Sequence, residues 1–183
     1  MLKGILLGVS LTLLGGAGVA SLLVAMGWVP ANADARPSAL ERWAARKALR
    51  AVVAREAPRG PNPLPATLEN LEAGARLYAE NCQVCHSGPD GEPSHVARGL
   101  YQRPPPLARA GVEKDPAGET FWKIRHGIRW TGMPSFARTL SERQAWELTL
   151  FLQNMDRLPP EVEAVWRGRA GASAARAEGR QAP

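Results

Sequence analysis

Side chains that bind metals are scarce in this chain of 183 residues, which contains two cysteines, three histidines and four methionines. A structural zinc site normally takes four cysteine or histidine ligands at recognisable spacings. Beside Cys82, Cys85 and His86, only His95 and His126 remain to complete such a set. The scarcity of ligands therefore argues against a structural zinc site.

The sequence also lacks the patterns of several other protein classes. No internal repeat is evident, and no nucleic-acid-binding module is visible, although the pI is near 10.0 and the formal net charge is +6. The alternation of strands and helices that surrounds a thioredoxin-like Cys-x-x-Cys pair is missing too, since the periodic segments indicate helices joined by loops. The chain has room for one modest all-helical domain and accessory segments.

Both cysteines lie in one short motif, Cys82-Gln83-Val84-Cys85-His86. Cysteines at positions i and i+3 share one side of a helical turn, so each can bond one vinyl group of a single porphyrin. The histidine that follows can then bind the iron as the proximal ligand. The motif predicts one haem c attached through Cys82 and Cys85. The alternative is a non-haem thiol or zinc protein.

A haem iron needs a second axial ligand, and Met133 is the strongest candidate. Pro134 disfavours helix at Met133, and Gly132 tolerates conformations closed to other residues, so this segment forms a loop that can present a thioether. Weaker alternatives are His95, in a polar loop, and His126, near the end of a predicted helix. The remaining methionines start the chain, lie in an apolar run or fall on a predicted helix: Met1, Met26 and Met155.

These motifs resemble those of a known family. The attachment site, the later Gly132-Met133-Pro134 and the helices on either side resemble a class I c-type cytochrome. More narrowly, the run from Trp122 to Phe136 is similar to the membrane-anchored monohaem cytochromes c of Gram-negative bacteria, whose haem domain is related to haem subunits of terminal oxidases. Over residues 67–166 the resemblance implies an all-α class I cytochrome c fold, with His86 and Met133 as metal ligands.

The resemblance also implies two structural contacts. Gly74 and Tyr78 lie one turn apart on one helix face, and this face would cross the last helix of the haem domain closely. The expected counterparts there are Leu148, Phe151 and Leu152. A backbone carbonyl in residues 104–107 would accept a hydrogen bond from the second ring nitrogen of the proximal histidine and so orient it.

Capping residues locate the helices. Ser38 and Pro58 bound a helix at 38–57, which could lie on the lipid surface, pack against the haem domain or act as a solvated spacer. Further helices are predicted from Thr67 to Asn81, from 117 to 126, from Ser141 to about Met155 and from Pro159 to Trp166. The predicted divisions are an anchor at 1–33, an amphipathic helix and Pro-rich linker at 34–66, the haem domain at 67–168 and a disordered tail at 169–183.

An apolar run at residues 5–29 is long enough to cross a bilayer as a helix. Its length favours a retained anchor, whereas Ala31-Asn32-Ala33 offers a signal cleavage site. Because Lys3 alone precedes the run and several basic residues follow it from Arg36 to Lys47, the positive-inside rule would place the C-terminal side in the cytoplasm. The family resemblance instead implies a single-pass inner-membrane protein with its haem domain in the periplasm, as we expect.

The predicted function is transfer of single electrons, by the chain alone or as a subunit of a respiratory complex. With His86 and Met133 both on the iron, no position is open to a substrate, so we expect no enzymatic activity of the chain itself. The expected partners are redox proteins, and basic residues near the haem segments would steer an acidic one. The main alternative is a haem enzyme or gas sensor with a displaced sixth ligand.

Overall fold

A computed structural model describes the backbone of residues 1–179 and the side chains of residues 1–169. This part of the chain is helical and contains no β-strand, which confirms the all-α prediction. The described α-helices are α1 (Leu2–Ala25), α2 (Ala39–Glu56), α3 (Leu68–Asn81), α4 (Gln83–His86), α5 (His95–Gly99), α6 (Ala117–His126), α7 (Glu142–Gln153) and α8 (Pro160–Gly179). The chain divides into two compact units, Met1–Ala35 and Arg36–Pro183.

The first unit consists mainly of α1, an apolar helix of 24 residues. At 1.5 Å per residue its length is about 36 Å, which exceeds the roughly 30 Å hydrocarbon core of a bilayer. In the described part of the chain, α1 is the one helix both long and apolar enough to cross a membrane. It is therefore consistent with a single membrane anchor.

The second unit is built on a core where α3 packs against α7 and α8. Tyr78 of α3, Phe151 of α7 and Val162 of α8 are fully buried. The aromatic rings meet at centroid distances of 5.4 Å for Tyr78 with Phe151 and 5.3 Å for Phe151 with Trp166. This side of the fold is packed by the side chains of the chain itself.

A glycine sets the distance between α3 and α7. A Cβ atom added at Gly74 would lie 2.7 Å from Cβ of Phe151 and still closer to the carbonyl oxygen of Glu147. The two helices can approach this closely only because Gly74 has no side chain. The expected close crossing on the Gly74 and Tyr78 face is thus confirmed.

Local capping explains where the helices begin and end. The Ser141 side chain accepts a hydrogen bond from the Gln144 backbone, and the Gln144 side chain accepts one from the Ser141 backbone, which completes a capping box. Ser38 and Thr67 cap α2 and α3 with their side-chain oxygens, which accept hydrogen bonds from the backbone three residues later. The predictions for α2, α3, α6 and α7 are confirmed to within two residues.

The proline-rich segment after α2 runs along the domain surface. The Asn62 side chain donates a hydrogen bond of 3.0 Å to the carbonyl of Trp146 on α7, and the Asn70 side chain donates one of 2.9 Å to the carbonyl of Pro65. The carbonyl of Pro58 lies against Gly118 so closely that a Cβ there would overlap it. The segment predicted as a stiff linker is therefore bound to α3, α6 and α7.

The C-terminal helix differs from the sequence prediction. α8 extends to Gly179, whereas we predicted a short helix to Trp166 and a disordered tail from residue 169. Alanine and arginine dominate this stretch and rank among the best helix formers, which explains the difference. Residues 180–183 of the predicted tail lie outside the described residues. The segment at 87–118 is mainly loop but contains α5 and two 3₁₀ turns, Leu107–Arg109 and Val112–Lys114.

Candidate functional site

A cavity of about 760 Å³ lies within the second unit, in the size range of cofactor sites. Its walls are the inner face of α2, the turn from Cys82 to His86, the segment at 100–105, the end of α6 and the loop at 127–136. Cys82, Cys85, His86 and Met133 all line it. The structure thus brings together all four residues predicted as the site.

The two cysteines are positioned by the junction of α3 with α4. The Cys82 carbonyl accepts hydrogen bonds from the backbone N–H groups of Cys85 and His86 at 3.0 and 2.8 Å, so the motif forms one helical turn. Burial raises the pKa of the Cys82 thiol to about 12, with a further contribution from Cys85, and burial also raises the pKa of Cys85. Reactive redox thiols have lowered pKa values, so these thiols do not resemble a thioredoxin-like pair.

His86 is oriented by a backbone carbonyl. Its Nδ1 lies 3.0 Å from the carbonyl oxygen of Pro105, within the segment expected to supply this partner. Burial lowers the pKa of His86, and the hydrogen bond to Pro105 partly opposes that effect. A neutral imidazole that donates from Nδ1 keeps the lone pair of Nε2 for a metal. The contact with Pro105 is therefore compatible with the tautomer that an iron ligand needs.

Tyr78 connects this turn to the helical core. Its hydroxyl lies 2.8 Å from the carbonyl oxygen of Ser87 and 3.1 Å from that of His86. Ser87 is buried and has a positive φ of 69°, a conformation that non-glycine residues adopt rarely. The hydroxyl of a core residue thus holds the chain in the sharp turn directly after the histidine.

Met133 lies in a loop closed by its own hydrogen bonds. The Ile128 N–H donates to the Met133 carbonyl at 3.1 Å, and the Met133 N–H donates to the Thr131 hydroxyl oxygen at 3.1 Å. The Thr131 hydroxyl in turn donates to the Ile128 carbonyl at 2.7 Å. These bonds fix the backbone on both sides of Met133, which is half-buried at the cavity wall.

Gly127 has a role that the sequence analysis missed. It ends α6, with a φ of 66°, directly after the predicted end of that helix at residue 126. A Cβ atom at this position would also lie 2.7 Å from the Met133 carbonyl oxygen and 2.6 Å from the Pro134 carbonyl carbon. Gly127 therefore gives the methionine loop the space to fold back on α6. Its proximity in sequence to Gly132-Met133-Pro134 was the available signal.

The charged side chains at the cavity are basic. Arg46, Arg103 and Arg129 line it, and among the described lining residues there is no aspartate or glutamate. All three arginines are exposed, so they lie at its rim. Guanidinium groups form strong bidentate pairs with carboxylates. The rim thus suits a planar apolar cofactor that carries carboxylate groups.

The two alternative histidine candidates differ in their position relative to the cavity. His126 lines the cavity, whereas His95 is not among the lining residues. Beyond these candidates, Trp130 lines the cavity, is 83% exposed and has a φ of 63°. In the part of the chain that the structure describes, no three His, Cys, Asp or Glu side chains come together to hold a metal ion. The geometry therefore does not form a zinc site around the two cysteines.

The comparisons with known proteins agree with this geometry. A family model described as cytochrome c oxidase, cbb3-type, subunit III matches residues 69–152. No curated protein matches the chain. The matched segment runs from α3 into α7 and includes Cys82, Cys85, His86 and Met133. It does not include α2, which forms the remaining wall of the cavity.

Proposed function

Residues 69–152 are a c-type cytochrome haem domain related to terminal-oxidase subunits, and on that premise we propose that this electron carrier uses one haem c with histidine and methionine ligation. Cys82 and Cys85 would attach the haem, with His86 and Met133 as the axial ligands. The observation that carries the proposal is the convergence of these four side chains on one cavity, although Met133 is remote in sequence.

Hydrogen bonds within the chain orient each of the two proposed iron ligands. The Pro105 carbonyl would hold the ring of His86 in the required tautomer, and the Tyr78 hydroxyl holds the following turn. Hydrogen bonds within the loop hold the backbone of Met133. When bound, a haem supplies one-electron exchange between ferric and ferrous iron. Because His86 and Met133 would both hold the iron, the site would favour electron transfer over catalysis.

The basic rim supports binding of the haem propionates. Arg46, Arg103 and Arg129 carry permanent positive charge and lie where the cavity reaches solvent. Each can pair with a carboxylate that would otherwise need water. Positive charge near an accessible haem would also steer an acidic redox partner, so we expect electron transfer to slow as ionic strength rises.

We assign the haem domain to the periplasmic face of the inner membrane, with α1 as the single anchor. The apolar length of α1 supports the anchor, and the c-type attachment motif supports export. The matched family supports a place beside or within a respiratory oxidase. Alkaline phosphatase fused after Trp166 should be active in intact cells, and an inactive but intact fusion would contradict this orientation.

A spectrum and a ligand-binding assay test the proposed function. The full chain, expressed with haem maturation machinery, should give a c-type reduced-minus-oxidised spectrum, with haem retained after denaturation. The reduced protein should bind carbon monoxide slowly, because Met133 must first dissociate. A colourless protein would contradict haem binding. Rapid carbon monoxide binding would favour a haem enzyme or gas sensor with an open sixth position.

A further inference from the structure

One wall of the cavity comes from outside the matched family segment. α2 spans Ala39–Glu56, ahead of residue 69, where the match begins. Five of its residues line the same cavity as Cys82 and Met133: Ala45, Arg46, Ala48, Leu49 and Val52. The four apolar ones, Ala45, Ala48, Leu49 and Val52, are related by spacings of three and four residues, which places them along one side of the helix.

Contacts near both ends hold α2 in this position. Near its first turn, Glu41 accepts a hydrogen bond from the hydroxyl of Tyr101, which precedes the lining segment at 102–105. Near its last turn, Val53 is buried, with an exposure of 3%. Directly after the helix, Pro58 lies against Gly118 of α6. The helix is thus fixed to the domain near both ends, by residues that are not among those lining the cavity.

Apart from Arg46, the cavity face of α2 is apolar, and its side chains are exposed or half-buried. Over the described length of the helix, Val53 is the one buried residue. Ala45 and Ala48 have short side chains, which allow a flat ring to approach the helix backbone closely. A solvated spacer helix has no need of an apolar stripe facing a cofactor cavity. This apolar face is therefore suited to an apolar cofactor. The cofactor proposed for the opposite walls of the same cavity is haem.

We propose that α2 forms one wall of the haem site, with Ala45, Ala48, Leu49 and Val52 packed on the haem held by Cys82 and Cys85, and with Arg46 paired to a propionate. This inference rests on the proposed haem function. It makes the segment ahead of the matched family region part of the cofactor site. α2 would shield the haem from water and from redox partners on this side.

Paired aspartate variants test the wall. Ala45 lines the cavity and Ala54 does not. Nine residues separate them, which is about two and a half helical turns, so Ala54 is on the opposite face. A carboxylate beside the haem stabilises ferric iron, so Ala45→Asp in the full haem-loaded chain should lower the midpoint potential clearly more than Ala54→Asp. Equal shifts in the two variants would overturn the proposal.

A second pair tests Arg46 without introducing a charge into the wall. Arg46 lines the cavity, whereas the adjacent Lys47 does not, and both side chains are exposed. Arg46→Gln should lower the midpoint potential more than Lys47→Gln, because it removes positive charge beside the propionate. Equal shifts in this pair alone would overturn the role of Arg46. A protein without covalent haem would instead contradict the proposed function, so the two failures are distinguishable.

Discussion

The helical core and the cavity of the second unit differ in how they are filled. In the core, α7 and α8 pack against α3, and Tyr78, Phe151 and Val162 are fully buried by protein. Beyond the C-terminal end of α3, the turn at 82–86, α2, the end of α6 and the loop at 127–136 surround a cavity of about 760 Å³, whose four candidate site residues are only half-buried. Side-chain packing completes the core, whereas we propose a haem for the cavity.

We therefore expect the core to determine the stability of the domain and the cavity to determine the properties of the proposed haem. Changes in the helical core should alter the free energy of unfolding and leave the haem spectrum intact. Changes around the cavity should alter the haem spectrum or the midpoint potential. Tyr78 belongs to both regions, since its ring packs on Phe151 and its hydroxyl holds the turn after His86.

The largest effect should come from the cysteines. The double variant Cys82→Ser, Cys85→Ser removes both thioether bonds, so we expect complete loss of haem that survives denaturation, measured by haem staining on a denaturing gel. Val84→Ser is the matched control, because Val84 lies between the cysteines and is 50% exposed. Covalent haem in the double variant would contradict the attachment site.

Gly74→Ala should change stability alone. The added methyl group would overlap the Glu147 carbonyl and crowd Phe151, so α3 and α7 must separate. We expect a loss of about 1–3 kcal/mol in the free energy of unfolding, with an unchanged haem spectrum. Gly99→Ala, which has no described neighbour within 4 Å of the new Cβ, should be neutral or slightly stabilising. A stability loss as large in Gly99→Ala would refute the role of the helix crossing.

Tyr78→Phe should give a smaller effect that reaches both regions. It keeps the ring in the core and removes the hydrogen bond to the carbonyls of His86 and Ser87, which should cost about 1–2 kcal/mol of unfolding free energy. Denaturant titration of the haem-loaded protein measures it. A variant as stable as the natural chain would show that the hydroxyl does not hold the turn.

The same variant should also change the alkaline limb of the stability profile. Burial raises the pKa of Tyr78 above its ordinary value, which is near 10. Above about pH 10 the unfolded chain releases this proton while the folded chain retains it, so stability falls as pH rises. Tyr78→Phe should show a smaller fall over this range. Identical pH profiles would contradict a buried, protonated Tyr78.

Local signals in the sequence were sufficient for the helices and for the attachment motif. Ser38, Thr67 and Ser141 act through hydrogen bonds to residues three positions later, so their role is visible in a short window. The Cys82–His86 motif is equally local. The close crossing at Gly74 was accessible only through the family resemblance, because it depends on residues far along the chain.

The position of α2 against the haem domain could not be predicted from the sequence. Its weak apolar stripe was compatible with a lipid surface, a packed helix or a solvated spacer. Its position depends on contacts with Tyr101 and Gly118, which are remote in sequence and carry no pattern of their own. Likewise, the particular carbonyl that accepts from His86, that of Pro105, is selected by the fold of the 100–105 segment.

The most direct test of the account is the near-infrared band that reports sulfur bound to ferric haem. We predict this band in the natural chain, its loss in Met133→Ala with a midpoint potential lower by more than about 60 mV, a tenfold change in the one-electron equilibrium, and its retention in Met155→Ala. A band that persists in Met133→Ala, or that is missing from the haem-loaded natural chain, would contradict methionine ligation by Met133.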